Sequence, residues 1–170
     1  MLVYREIVTR AVVGKGKIFN NNEVVVSASS VPSKVLGCWI INHYYVSSFE
    51  GGKAMARGKY DLHIWYGVSG DTDTIVHKQT IDYIEEFSLK MKNGEMLSEE
   101  NEMVIKCAKY PTCTSLNLNG DGTICVKVEK ELSLDVIGEA KLRVQVSSNN
   151  EEDWVNSDEI ENIDVDYLSK

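Results

Sequence analysis

The chain has 170 residues, of which 43% are hydrophobic, and its formal net charge is −8. This length and apolar content suit one folded domain, or two small halves that share a core. The charge is unevenly placed, because residues 151–170 hold eight acids and one base while the rest of the chain is close to neutral. A near-neutral body lacks the surplus of lysine and arginine that neutralises phosphates, which argues against binding of nucleic acid.

The sequence contains no signal for export or membrane insertion. The N-terminus, from Met1 to Glu6, carries charges where a signal peptide needs an apolar run. No segment offers the roughly 18 uninterrupted apolar residues of a membrane span. We therefore expect a chain that is made in the cytosol, where its four cysteines stay reduced by default.

Alternation of apolar and polar residues, the pattern of strands with one buried face, dominates the chain. Strands are predicted at about 4–13, 23–28, 36–46, 60–66, 81–92, 102–108, 116–118, 123–136 and 142–146. Turns are predicted at 93–94 and 119–122, where Gly and Asn cluster, and at 138–140, which begins with Gly138. This spacing predicts an all-β fold, an antiparallel β-sandwich or a barrel-like structure.

The domain prediction follows the charge boundary. We expect a β-rich body over 1–149 and a flexible acidic C-terminal tail over 150–170. A weak internal repeat leaves open a division of the body into two similar β halves, 1–95 and 96–149. Within the body, the clearest strand is 123–136, whose inward face is apolar with Lys130 as its only break.

The segment 36–46 is apolar on both faces. A strand of this kind is either central in a sheet or part of an interface. Strict alternation assigns its large side chains to two groups. One group is Leu36, Cys38, Ile40 and Tyr44, and the other is Trp39, Ile41 and Tyr45 together with His43.

No constellation for catalysis, cofactor binding or metal binding is found in the sequence. There is no G-x-S-x-G motif, and Gly14-Lys15-Gly16 lacks the spacing of a phosphate-binding loop. A calcium-loop-like run from Asn117 ends on Val128, where a bidentate Glu is needed. His43, His63 and His77 are not spaced as metal ligands. We therefore predict that the chain is not an enzyme and has no cofactor.

The cysteines divide by predicted face. Cys38 and Cys107 point inward, whereas Cys125 falls on the polar face of its strand and Cys113 shares a face with polar neighbours. Four inert thiols are one interpretation. The other is that Cys113 and Cys125 cross-link copies of an assembling protein once the environment becomes oxidising.

Several long strings of residues resemble one known family. They are 4–17, 32–43, 58–62 with Trp65-Tyr66, parts of 111–141, and 151–154 at the start of the acidic tail. In this collinear order they resemble the spore coat protein E family of endospore-forming bacteria. The tail is less densely acidic, and the loops at 18–30, 47–57 and 68–80 differ from the family pattern.

The resemblance implies a structural morphogenetic scaffold of the spore coat. Such a protein is made in the mother-cell cytoplasm, forms a homo-oligomer on an inner-coat layer around the forespore, recruits outer-coat proteins, and is deposited in the outer spore coat. The resemblance brings no catalytic residues with it.

Two sets of residues are predicted to serve this role. For self-assembly we single out Trp39, Ile41, Tyr44 and Tyr45. For partner binding in the acidic tail we single out Glu151, Glu152, Asp153, Trp154, Asp158 and Glu159, with Trp154 as an apolar anchor among charges.

An alternative function from another class is a monomeric carbohydrate-binding β-sandwich for cell-wall glycan. Its site would be an aromatic platform around Trp65 and Tyr66. The competing interpretation of these two rings is ordinary core packing.

Overall fold

The computed structural model describes residues 3–146. Over this range the chain forms seven strands and one short 3₁₀ turn, Lys92–Gly94. The strands are β1 (Val3–Ser27), β2 (Lys34–Glu50), β3 (Lys53–Val68), β4 (Asp73–Glu86), β5 (Ser88–Met91), β6 (Glu102–Leu118) and β7 (Thr123–Val146). The all-β prediction is confirmed. The predicted acidic tail, 150–170, lies outside the described residues.

The strands form two antiparallel sheets. A four-stranded sheet has the order β5-β1-β7-β6, and a three-stranded sheet has the order β2-β3-β4. The predicted hairpin at 119–122 joins β6 to β7, and it is closed by the Asn119 N–H, which donates to the Thr123 carbonyl at 2.8 Å. The four-stranded sheet combines β1 and β5, which precede residue 95, with β6 and β7, which follow it.

The chain separates into two compact units. One comprises Arg10–Gly138, and the described part of the other consists of residues 3–9 and 139–146. In the smaller unit, the Arg143 guanidinium lies 5.4 Å from the centre of the Tyr4 ring. The predicted boundaries at 95 and 149 stay predictions.

Several strands are longer than predicted. β1 runs unbroken through both predicted strands at 4–13 and 23–28, and β7 continues past the predicted turn at 138–140. That turn prediction was wrong because Gly138 marks a close approach between strands. A Cβ at Gly138 would lie 2.7 Å from Asn101 Nδ2 and 3.0 Å from Val13 Cγ2.

The predicted strand at 81–92 is two strands in different sheets. β4 ends at Glu86 and β5 begins at Ser88, and the Phe87 N–H between them donates to the Ala54 carbonyl at 2.9 Å. Phe87 is buried, so the chain changes sheets without exposing its apolar face. Tyr83, Phe87 and Leu89 all pack in the core.

The core consists mainly of the inward faces of β3 and β7. Full burial of one Val, Leu or Ile side chain stabilises the folded state by roughly 1.5–3 kcal/mol. The buried residues of these two faces include Tyr60, Leu62, Ile64, Tyr66, Ile124, Val126, Val128, Leu132, Leu134 and Val136. The alternation predicted for 123–136 is confirmed, including the interruption at Lys130, which is only 2% exposed.

Candidate assembly face

A β-bulge in β2 decides which side chains face solvent. The register between β2 and β3 shifts between Ile41 and Tyr44, and Asn42 has φ +54. The Asn42 side-chain amide donates to Asp61 Oδ2 at 2.8 Å. A bulge reverses the alternation beyond it, so Tyr44 turns to solvent while Tyr45 packs against the core.

The predicted faces of Tyr44, Tyr45 and His43 were therefore wrong. Strict alternation placed Tyr45 and His43 with Trp39, but both turn inward, and His43 contacts the Tyr45 ring at 4.9 Å between centroids. Asn tolerates positive φ better than most residues, but that preference does not by itself indicate a bulge. Trp39 and Ile41 are exposed, as the assembly hypothesis requires.

The exposed side of the three-stranded sheet carries a cluster of large apolar side chains, which we call the outer aromatic face. It consists of Trp39, Ile41, Tyr44, Val46, Trp65 and Ile84, all of them exposed. The Trp39 and Trp65 rings meet edge to face, with centroids 6.2 Å apart. Contiguous exposed apolar patches mark interaction sites more often than single exposed residues do.

Gly37 makes room for this arrangement. A Cβ at Gly37 would lie 2.9 Å from the Trp39 ring, so the indole lies directly over the glycine. Gly37 pairs with Trp65 across the strands, which leaves Trp39 free to reach the neighbouring indole. The two tryptophans are thus positioned by the backbone of β2 and β3.

Charged groups alternate with the apolar rows. Arg57 binds Glu50 with two hydrogen bonds of 2.7 and 2.8 Å. These bonds, with one from Ser48, lower the pKa of Glu50 to about 2. Hydrogen bonds from Asn42 and Thr80 lower the pKa of Asp61. The face therefore presents fixed charges of both signs between exposed aromatic rings.

Behind this face lies a buried ion pair. Lys130 Nζ on β7 is 2.6 Å from Glu85 Oε1 on β4, and the Asn20 amide donates to the same oxygen at 2.9 Å. Lys130 also lies over the Tyr83 ring, 4.2 Å from its centroid. Among the described residues, Glu85 Oε2 is buried without a hydrogen-bond partner. This pair connects the two sheets through their interior.

His43 extends the same polar cluster. Its Nε2 is 2.7 Å from the Tyr83 hydroxyl, and its Nδ1 is 3.9 Å from Cys107 Sγ. Burial, with a smaller contribution from the charge of Lys130, lowers the pKa of His43 to about 4. Burial raises the pKa of Cys107. These shifts are opposite to those that create a thiolate–imidazolium nucleophile.

The family model described as outer spore coat protein E (CotE) matches residues 3–170, essentially the whole chain. The chain is a member of the outer spore coat protein E family. This confirms the resemblance seen in the sequence and makes the chain a spore coat protein of a structural family. No curated protein and no solved structure matches it.

Family membership implies a place in the outer spore coat and interaction with other coat proteins. Within residues 3–146, no group of three or more His, Cys, Asp or Glu side chains is arranged to hold a metal ion. In the same range, no helix is long and apolar enough to cross a membrane. The tail residues predicted to bind partners, from Glu151 to Glu159, lie outside the described residues.

The two cysteines predicted to cross-link copies of this coat protein lie on different sides of the four-stranded sheet. Cys113 packs against the core, so its predicted place on a face with polar neighbours was wrong; a register shift in β6 separates it from Ser115. Cys125 lies on the opposite, polar face of its strand, as predicted, near Glu23. Cys125 is nevertheless only 8% exposed. Cross-linking through Cys113 and Cys125 stays a prediction. The inward positions predicted for Cys38 and Cys107 are confirmed.

The aromatic platform predicted for glycan does not form as expected. Tyr66 is 0% exposed, and its hydroxyl is 3.2 Å from Ser29 Oγ. Tyr66 belongs to the core because alternation along β3 turns it away from Trp65. The exposed aromatic pair of this coat protein is Trp39 with Trp65 instead.

Proposed function

We propose that the chain is a morphogenetic scaffold that self-assembles around the forespore and recruits outer-coat proteins. It is made in the mother-cell cytoplasm and deposited in the outer spore coat as a homo-oligomer. The outer aromatic face is the observation that carries this proposal. Within this face, Trp39 is 58% exposed and lies beside Ile41 and Trp65. A lone soluble domain gains nothing from exposing such a cluster to water.

A second copy of the chain is the occupant that best fits this face. Fixed charges of both signs, such as Lys59 and Asp82 in one cross-strand row with Tyr44, allow the face to complement itself about a two-fold axis. A lattice needs a second kind of contact. The edge strand β4, the last in its sheet, offers backbone groups for that purpose.

Isotope-mixed cross-linking tests which surface joins the copies. Lys59 and Lys78 lie in the Tyr44 and Trp39 rows of the outer aromatic face. Equal amounts of ¹⁴N and ¹⁵N full-length protein, treated with an amine-reactive cross-linker, should give mixed-isotope peptides joined through these two lysines. Lys127, exposed on β7 of the other sheet, is the matched control. Mixed-isotope links through Lys127 and none through Lys59 or Lys78 would place the contact elsewhere.

Recruitment of other coat proteins is assigned to the acidic tail. The tail combines like charges with Trp154 as an apolar anchor, a composition suited to basic or amphipathic partners. Deleting 151–170 should leave assembly of the body intact and reduce the outer-coat proteins retained on spores. Gel analysis of coat extracts measures this. A coat profile unchanged by the deletion would remove the tail from the proposal.

Binding of cell-wall glycan is the second candidate, favoured by the exposed Trp39–Trp65 pair. Flat aromatic surfaces are suited to pack against sugar rings as well as against protein. Co-sedimentation with purified peptidoglycan separates the two functions. Binding that is lost in Trp65→Ala, by a chain that stays monomeric, would favour the glycan site over the scaffold.

A further inference from the structure

Two side-chain contacts fix how β2 lies against β6. Ser47 Oγ donates to the Met103 carbonyl at 3.3 Å, and His43 Nδ1 is 3.9 Å from Cys107 Sγ. The two strands therefore run in opposite directions, so that the step from Ser47 back to His43 on β2 matches the step from Met103 forward to Cys107 on β6. Continued in the same directions, and allowing for the bulges in both strands, this alignment brings Cys38 opposite Cys113.

The contacts of Cys38 and Cys113 agree with this alignment. The two thiols are close enough that Cys113 contributes to the raised pKa of Cys38. Both side chains are half-buried and pack against the core, and Cys113 Sγ is 3.5 Å from the Ser115 carbonyl. Cys38 belongs to the three-stranded sheet and Cys113 to the four-stranded sheet, so the pair bridges the two.

The other two cysteines have different surroundings. Cys107 is next to His43, and Cys125 lies across the sheet near Glu23. In the β6–β7 register, Cys125 pairs with Asn117 while Cys113 pairs with Val128. Within the folded chain, Cys38 is therefore the cysteine best placed to form a disulfide with Cys113.

We propose that Cys38 and Cys113 form a site of oxidation at which an intramolecular disulfide joins the two sheets. With hydrogen peroxide as the oxidant, one thiol takes up an oxygen atom to become a sulfenic acid and one water is released. The second thiol then attacks that sulfur, the S–S bond forms, and a second water leaves. Two thiols and one peroxide thus give one disulfide and two waters. The proposal does not depend on self-assembly.

The chemistry of the pair predicts a slow reaction. Burial, reinforced by the neighbouring Cys113, raises the pKa of Cys38 to about 12. Thiolate is the reactive form, so little of it is present on Cys38 at neutral pH. Reaction through Cys38 is therefore slow at neutral pH and becomes faster as pH rises.

Peptide mapping of the oxidised full-length protein tests the proposal. The protein is freed of reductant, treated with hydrogen peroxide, alkylated, and digested with trypsin and with a protease that cuts before Asp121. The second cut separates Cys113 from Cys125. We expect one linked pair of peptides containing Cys38 and Cys113, lighter by two hydrogen atoms than the separate peptides. Its formation should raise Tm by roughly 10 °C, because it closes a long loop.

Single substitutions provide the controls. Cys38→Ser and Cys113→Ser should each abolish the linked peptides and the shift in Tm, whereas Cys125→Ser should keep both. The mapping of the unaltered chain decides the outcome even if a variant fails to fold. Four alkylated thiols after peroxide treatment would overturn the proposal. A disulfide that uses Cys107 or Cys125 in place of the predicted pair would overturn it as well.

Discussion

Replacing Lys130 with alanine is expected to lower the free energy of unfolding by about 3–5 kcal/mol. The ammonium group is buried between the sheets, 2.6 Å from Glu85 Oε1. Its removal leaves a buried carboxylate with only the Asn20 amide on that oxygen, while Oε2 already lacks a partner. An uncompensated buried charge is far more costly than the ion pair is favourable. Urea unfolding, followed by circular dichroism at pH 7, measures the loss.

Two further variants separate charge from packing. Lys127→Ala, on the exposed face of the same strand, should change the free energy of unfolding by no more than about 0.5 kcal/mol. The double variant Lys130→Met with Glu85→Leu removes both charges and should regain most of the lost stability. A loss below about 1 kcal/mol for Lys130→Ala would mean that Glu85 is reached by water and that the buried pair is not formed as described.

Replacing Trp39 with lysine is expected to dissociate the assembly while leaving the fold intact. An aromatic anchor commonly contributes about 2 kcal/mol or more to an interface, so association should weaken by about 30-fold or more. The fold should tolerate the change because Trp39 is 58% exposed and packs on Gly37 and Trp65 rather than in the core. Sedimentation velocity over a range of protein concentrations measures the shift.

Phe19→Lys is the matched control for this prediction. Phe19 is 64% exposed on β1 of the four-stranded sheet, so it tests the loss of an exposed aromatic ring away from the outer aromatic face. Assembly should be unchanged in this variant. If both substitutions weakened association equally, general surface hydrophobicity would explain it, and the outer aromatic face would lose its role.

Local patterns in the sequence were sufficient for the fold class and much of the core. Alternation over 123–136 identifies the inward face of β7, because successive side chains of a strand point to opposite faces of the sheet. The break at Lys130 was also visible in the pattern. Its meaning was not, since the partner Glu85 is 45 positions away in the chain and on the other sheet.

The parts that sequence reasoning missed depend on single residues and on distant pairing. The positive φ of Asn42 reverses the faces of Tyr44 and Tyr45, and no local pattern around it distinguishes a bulge from a regular strand. Likewise, Gly138 looked like a turn because its close contact with Val13 comes from another strand. The pairing of Cys38 with Cys113 requires the alignment of β2 with β6, which alternation does not specify.

The mass of the purified full-length protein, measured by size-exclusion chromatography with light scattering, tests the central claim most directly. We expect an assembly well above the 19.1 kDa chain. It should persist in reductant, because the proposed contacts are apolar and ionic and Cys125 is buried. Loss of the assembly on reduction would show that cysteines hold the copies together. A mass of 19.1 kDa at every concentration would contradict self-assembly itself.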